Sequence, residues 1–311
     1  MHYYPDASDS LSCAEVIRAI EDAFAEHGRG NVQMPPKIYL TFEKGDLRTM
    51  PAYMPGLDLA GVKLVNVHPR NPDIGLPTVM AVTVILDVET GLPEAIINAT
   101  ALTDMRTGAA GAVAAKYLAV NREVRVGFIG SGRQAHAQLA AIADQMDIRE
   151  IRVWSRTAKR AESFAAAYAR YDAQSVSLER ACDCDILVTT TPSRRPLVKA
   201  EWVHEGTHIN AIGADAPGKQ ELDPALLKRS LVFVDDIEQA VHSGEINVPI
   251  SQGLYAPEEI AGTLGEVVLG LRKRTPPDAI TIFDSTGLAI QDLAIARIAM
   301  ENVDGIALPF P

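Results

Sequence analysis

Residues Gly130-Ser131-Gly132-Arg133-Gln134-Ala135 stand directly after the apolar run Val124–Ile129 and before a helix-like stretch over 136–147. A G-x-G-x-x-A turn between a strand and a helix is a cradle for a pyrophosphate. Gly130 permits the tight turn, Gly132 lets a phosphate approach the backbone, and Ala135 lets the helix pack against the strand. The helix start adds unpaired N–H groups and a partial positive charge, with Arg133 and Gln134 beside it. The same pattern also serves ordinary βα units, but a second strand over 151–154 at the expected distance favours dinucleotide binding. NAD-selective folds place an acid about 20 residues after the glycines to hold the ribose 2′-hydroxyl. Here that place is taken by Ser155, followed by Arg156 and Thr157. A guanidinium suits a 2′-phosphate, so NADP(H) is the expected cofactor and NAD(H) the alternative. Arg156 also fits a plain solvated surface residue.

A nicotinamide carries its own hydride, so the protein must add an acid/base and an anchor for the substrate. Four charged residues are candidates. Lys63 lies inside the apolar strand Val62–Leu64, and alternation points it away from both neighbours. On a desolvated, ligand-facing side its pKa falls and it becomes an acid/base near neutrality; on a wet face it is an exposed lysine. Arg48 offers a fork for a carboxylate, or is a surface arginine. Arg106 begins a helix and can meet either cofactor phosphate or substrate carboxylate. Asp215 follows Ile209–Gly213 at the carboxyl end of a predicted parallel strand, where such folds bind ligands, though a turn cap needs the same residue type. Thr189-Thr190-Thr191 closes another strand at that edge. The Thr190 hydroxyl can line a cofactor there, although polar strand ends are ordinary.

The elements that must position these groups fall into two textures. Ser12-Cys13-Ala14-Glu15 reads as a capping box, and Val16, Ile17, Ile20, Ala23 and Phe24 mark one face of the helix it opens. From Lys37 to Ile97, apolar or alternating segments (38–42, 47–53, 61–67, 78–86, 93–98) are separated by turn clusters, which predicts an antiparallel sheet. An alanine-rich helix over 103–119 follows, its small residues suited to close backbone packing. Strands near 124–129, 151–154, 185–190, 207–212, 231–235 and 279–284 then alternate with helices, which predicts a doubly wound parallel sheet. A last helix is expected over 286–302. The fold class is therefore α/β: a Rossmann domain over 120–285, plus an α+β substrate-binding and dimerisation domain from 1–119 with 286–311.

Composition narrows the function classes. With 311 residues, 47% hydrophobic content and a net charge of −11, the chain builds a full core and attracts neither nucleic acid nor anionic membrane. The longest apolar runs fall short of the ~18 residues that span a bilayer, and the N-terminus lacks a signal-peptide pattern, so a cytoplasmic protein is expected. Cys13, Cys182 and Cys184 suit a reducing compartment better than a disulfide framework. The scattered histidines form no metal-binding motif, so no metal is expected.

Taken in order, several segments resemble the ornithine cyclodeaminase/mu-crystallin family, and within it the archaeal-type alanine dehydrogenases. They are Gly45-Asp46-Leu47-Arg48, Lys63 with Val65–Pro69, Gly75-Leu76-Pro77-Thr78, Arg106–Ala110, Gly213–Leu222 and Phe283–Asp292, so the likeness runs over nearly the whole chain. The resemblance implies a dimer built through the N-terminal sheet domain and a last helix that returns to it. It implies that Arg48, with Lys63 and Thr78, binds the substrate and that Lys63 and Asp215 form the acid/base pair. Arg106, Thr190, Gly213, Asp215 and Ser285 would face the cofactor. In this likeness, members that use NAD(H) carry an acid where Ser155 stands, whereas mu-crystallin-like members carry a short polar residue followed by Arg-Thr. The expected reaction is reversible amination of pyruvate to alanine, on a small 2-oxo or 2-imino acid. The alternatives are reduction of a cyclic ketimine, cyclodeamination of ornithine, and non-catalytic binding of NADPH with a small ligand. A cyclodeaminase needs an anchor for a terminal amine, and no residue stands out for that task.

Overall fold

The computed structural model describes residues 1–310. The chain begins with β1 (His2–Tyr4), α1 (Cys13–Gly28), β2 (Ile38–Phe42), β3 (Gly45–Met54), β4 (Leu59–Val67), β5 (Val79–Leu86), β6 (Pro93–Asn98) and α2 (Thr100–Leu118). It continues through β7 (Glu123–Ile129), α3 (Arg133–Gln145), β8 (Asp147–Trp154), α4 (Ala158–Ala167), β9 (Ala173–Ser175), α5 (Leu178–Cys182), β10 (Ile186–Thr189), β11 (Arg194–Val198), β12 (His208–Ala211), β13 (Gln220–Leu222) and α6 (Pro224–Lys228). The remainder is β14 (Ser230–Val234), α7 (Ile237–Ser243), α8 (Asn247–Ser251), β15 (Gly262–Thr263), α9 (Leu264–Val268), β16 (Ile280–Asp284), α10 (Ala289–Asn302) and β17 (Ile306–Ala307). Two compact units result, one of Met1–Arg106 with Leu288–Pro311 and one of Thr107–Gly287. The first crossing falls inside α2. No helix among the described residues is long and apolar enough to cross a membrane.

In the first unit the seven strands run β17-β1-β6-β5-β4-β3-β2. Strands β2 to β6 are antiparallel neighbours, as the short turns between them require. The sheet is nonetheless mixed, because β1 lies parallel to β6. Alternation is strict along β3 to β6, where Met50, Ala52, Val65, Ala81, Ile85, Ala95 and Ile97 are buried on one face. That face is covered by α10, which also packs on α1. Every residue of α10 from Ala289 to Ala296 is buried, so this helix shows no polar stripe. The capping box of α1 forms: Ser12 Oγ accepts from the Glu15 amide at 3.3 Å, and Glu15 Oε2 accepts from the Ser12 amide at 3.0 Å.

In the second unit eight parallel strands run β15-β14-β16-β12-β10-β7-β8-β9. The order reverses between β7 and β10, which makes their carboxyl ends a topological switch point. Apolar clusters fill the sheet core, among them Val126, Phe128, Leu139, Val153 and Phe164 in one and Leu187, Ile209, Val232 and Ile282 in another.

Three helices differ in their bounds from expectation. The alanine-rich one expected over 103–119 is α2 (Thr100–Leu118), so Arg106 lies within the helix rather than at its start. The stretch read as a helix over 136–147 starts at Arg133 and ends at Gln145, because Asp147 already pairs with β7 and its amide donates to Arg122 O at 2.9 Å. The last helix starts at Ala289 rather than Thr286. The Asp235 carboxylate takes the Thr286 and Gly287 amides, both at 2.7 Å, and holds them out of the helix.

Candidate functional site

Strand alternation decides the first unit's chemistry. Lys63 is 1% exposed and lies on the buried face of the sheet, level with Met50 on β3 and Thr83 on β5. Its Nζ stands 2.6 Å from Asp292 Oδ2, with the Asp292 side chain only 2% exposed. The other carboxylate oxygen of Asp292 meets Arg106 Nε at 3.0 Å, and Arg106 Nη1 donates to Gln291 Oε1 at 2.9 Å. One carboxylate thus serves two buried cations, which leaves the cluster with a net positive charge. Burial pushes the Lys63 ammonium down from an ordinary 10.5 to about 7. The Asp292 charge pulls it back up, while Arg106 and Lys37 push in the same direction as burial. An amine that titrates near neutrality inside an apolar wall suits proton transfer. Thr83 Oγ1, directly across from Lys63, is buried and has no hydrogen-bond partner among the described residues. An orphaned polar atom at such a place points to a ligand.

Arg48 is buried on the same face, level with Val65 and Ala81. Its fork is engaged by Asp46, with Nε to Oδ1 at 3.1 Å and Nη2 to Oδ2 at 3.2 Å, and its guanidinium lies 5.3 Å from the Tyr39 ring. The edge of the fork that would suit a carboxylate is therefore taken by Asp46. Thr78 is half-buried just before β5, where its carbonyl accepts from the His68 amide at 2.8 Å.

The second unit gathers the remaining sequence candidates along one edge. Gly130, Ser155, Thr190, Gly213 and Ser285 follow the carboxyl ends of β7, β8, β10, β12 and β16, all neighbours in the sheet. Gly130 has φ 111°, and a Cβ there would stand 2.6 Å from Thr190 Oγ1; only glycine fits such a turn. Gly132 caps α3 with an open approach, since a Cβ there would meet nothing within 4 Å. Ser131 Oγ is buried without a hydrogen-bond partner. The adjoining groove is lined by Gly132, Arg133, Thr157, Lys159 and Arg160, and among the described residues no carboxylate lines it. Arg156 is exposed and stands outside that lining, to which the α4 side contributes Lys159 and Arg160 as its cations. An open turn, an orphaned hydroxyl and a cationic groove at a helix start fit the phosphates and ribose of a dinucleotide.

Gln134 is half-buried in the first turn of α3. Asp215 is about one-third exposed and paired with Lys219. Ser285 is buried, its amide donating to Ala211 O at 3.0 Å.

Sequence reasoning missed Asp292, Gln291 and Thr83. A signal existed for the first two, a polar pair set in the otherwise apolar Ala289–Ala296. It also missed four fully buried carboxylates in the second unit, Glu221, Asp235, Glu245 and Asp284. Burial pushes Glu221 up to about 7, while burial and then the Glu221 charge hold Glu245 well above the usual carboxylate range.

A sequence profile of the ornithine cyclodeaminase/mu-crystallin family matches residues 2–306. An alanine dehydrogenase of Archaeoglobus fulgidus is 54% identical over 296 residues, covering 94% of this chain and 91% of that protein. The solved structure of an archaeal alanine dehydrogenase dimer with bound NAD superposes with a TM-score of 0.94 at 51% identity, over 97% of this chain and 95% of that one. A Δ1-pyrroline-2-carboxylate reductase of Thermococcus litoralis, in complex with NADH and L-proline, superposes with a TM-score of 0.92 at 35% identity, over 97% of each chain.

Proposed function

The chain belongs to the ornithine cyclodeaminase/mu-crystallin family, and we propose that within it the protein is a pyridine-nucleotide-dependent dehydrogenase of a small amino acid. The reaction is pyruvate + NH4+ + NAD(P)H + H+ ⇌ alanine + NAD(P)+ + water. The observation that carries this reading is Lys63, buried against Asp292 and held near neutrality beside Arg106. The A. fulgidus relative is an alanine dehydrogenase, which supports the choice of substrate.

A bound nicotinamide supplies hydride exchange with the substrate carbon. The protein supplies the rest. Arg48 orients the substrate carboxylate, aided by Thr78. Lys63 as an ammonium gives a proton to the carbonyl oxygen while ammonia adds, takes one back from the nitrogen that has added, and gives it to the hydroxyl as it leaves as water. In the reverse direction the neutral amine takes those protons back. Asp292 keeps the Lys63 ammonium accessible in a wall that otherwise disfavours charge, and Thr83 Oγ1 offers the substrate a hydrogen bond. Asp215 is the second acid/base. Gly130, Gly132 and the start of α3, with Ser131, Arg133 and Gln134, hold the pyrophosphate; Thr190, Gly213 and Ser285 line the same edge. The two carboxylates beside Lys63 and Arg48, Asp292 and Asp46, are already engaged, the first by Lys63 with Arg106 and the second by Arg48. A small apolar substrate therefore fits better than a diamino acid, whose second amine needs an acid of its own.

The absence of a carboxylate at Ser155-Arg156-Thr157 and along the groove supports a preference for NADP(H). Three relatives have been solved with NAD+ or NADH, so NAD(H) is the competing cofactor. A homodimer is the proposed assembly. The archaeal alanine dehydrogenase that this chain resembles was solved as a dimer. On the sheet face opposite Lys63, Ile38, Thr49, Leu64 and Val82 form one row, with Ile38, Leu64 and Val82 exposed at 56%, 37% and 37%. Apolar rows of this kind are suited to burial against a second copy.

A second reading is cyclic ketimine reduction, favoured by the T. litoralis relative; it needs the same groups without the ammonia step. The test is reduced-nicotinamide absorbance with pyruvate plus ammonia, Δ1-pyrroline-2-carboxylate, or ornithine, each with both cofactors. Turnover of pyruvate with ammonia supports the first reading. Turnover of the cyclic imine alone selects the second. Loss of ammonia from ornithine without net nucleotide change overturns both.

A further inference from the structure

Four carboxylates in the second unit are fully buried; Asp235 caps Thr286 and Gly287, and the other three, Glu221, Glu245 and Asp284, each accept from backbone amides in a consistent order. Asp284, at the end of β16, accepts from the Glu245 amide at 2.9 Å and the Ile246 amide at 3.2 Å. Glu245 accepts from the Glu221 amide at 2.9 and 3.0 Å and from the Leu222 amide at 2.6 Å. Glu221 then accepts from the Thr191 amide at 2.7 Å with Oε1 and from the Gly213 amide at 2.9 Å with Oε2. Each carboxylate holds the backbone that carries the next. The series starts beside Ser285 and ends on the loops after β10 and β12, which carry Thr190 and Asp215.

Burying a carboxylate is costly unless strong donors meet it. Packing alone would be met more cheaply by apolar side chains. What a carboxylate adds is two acceptors on one rigid plane. Glu221 spends one on each of two neighbouring strand ends and so fixes their separation. The approach is tight, since a Cβ on Gly213 would stand 2.4 Å from Glu221 Oε2 and 2.2 Å from Thr191 O. Glycine at 213 is therefore required by the clamp itself.

We propose that Glu221 is the positioning residue of this strand edge, tying the end of β10 to the end of β12 so that Thr190, Gly213 and Asp215 are held for the dinucleotide, with Glu245 and Asp284 as its backing. The inference rests on the reading that this edge receives the nucleotide.

The test uses the full-length protein and Glu221→Gln. The amide keeps the shape but replaces one acceptor with a donor that faces a backbone N–H. Reduced-dinucleotide affinity is measured by fluorescence titration at a temperature where circular dichroism shows both proteins folded. The expected result is a Kd raised about tenfold, equivalent to ~1.4 kcal/mol. The readout that a merely structural role would not move is a double-mutant cycle on kcat with Asp215→Asn. If Glu221 acts through Asp215, its substitution costs far less kcat in the Asp215→Asn background than in the wild type. Unchanged affinity together with additive effects on kcat overturns the proposal. Wild-type protein that binds neither dinucleotide overturns the nucleotide reading and this proposal with it, so the two failures are told apart. Should Glu221→Gln not fold, the same cycle with Glu245→Gln decides, with an effect in the same direction and smaller expected and no effect counting against the proposal.

Discussion

Removing the charge of Asp292 tests the acid/base reading at its root. In Asp292→Asn the carboxylate beside Lys63 becomes a neutral amide of nearly the same shape. A pair of unit charges 2.6 Å apart interacts by at most ~6 kcal/mol at an effective dielectric of about 20. Asp292 also serves Arg106, and the asparagine still offers an oxygen, so only part of that ceiling is lost. At ~1.4 kcal/mol per pKa unit, a fall of about one to three units in the Lys63 pKa is expected. Lys63 titrates near 7 in the wild type, so in the variant it is almost wholly neutral at pH 7. The assay is steady-state kinetics in both directions from pH 5 to 9. For oxidation of the amino acid, which needs the neutral amine, the acidic limb of log kcat/KM moves down by about one to three units. For amination, which needs the ammonium, the rate at pH 7 falls roughly 5- to 500-fold, in step with the lost ammonium. An acidic limb that stays at its wild-type position refutes the assignment of that limb to Lys63. The same shift has a stability consequence. The folded-state pKa lies below the unfolded one, so between about 7 and 10.5 the unfolded chain holds more protons. The cost of burying Lys63 is therefore full below pH 7 and fades as the pH rises through that window. Relative to Lys63→Met, wild-type thermal stability should increase from pH 7 to pH 10.

Arg48→Lys should lower kcat/KM for the 2-oxo acid by about 10²-fold or more while dinucleotide affinity holds, because lysine cannot reproduce the paired contact; unchanged kinetic constants would take Arg48 out of the site. NADPH should bind more tightly than NADH, and replacing both Arg156 and Arg160 by alanine should narrow the gap; competitive fluorescence titration reads both, and equal affinities in the wild type reject the preference. Leu64→Asp, placed in the middle of the exposed apolar row, should shift the protein from dimer to monomer in sedimentation; a dimer of unchanged strength would move the interface elsewhere.

Local patterns already contain much of this protein. Period-two alternation along β3 to β6 places Arg48 and Lys63 on one face, since successive side chains on a strand must point to opposite sides. The strand–glycine turn–helix at 124–145 is likewise local, because the turn's positive φ and the open helix start are properties of adjacent residues. The alternation does not say which face is covered. Val65 and Leu64, on opposite faces, are both apolar, and a buried Lys63 and a wet one read alike until α10 is laid on the sheet. That decision brings Asp292 and Gln291 onto Lys63 and Arg106 from the far end of the chain, and no spacing rule couples positions so distant. The start of α10 at Ala289 was hidden for the same reason, since Asp235 claims the Thr286 and Gly287 amides from another strand end. No local pattern marks Glu221, Glu245 and Asp284 for burial. Only the folded backbone supplies the aligned amides that make their burial tolerable, because desolvation and charge depend on what surrounds a group in space, and that is set by long-range packing.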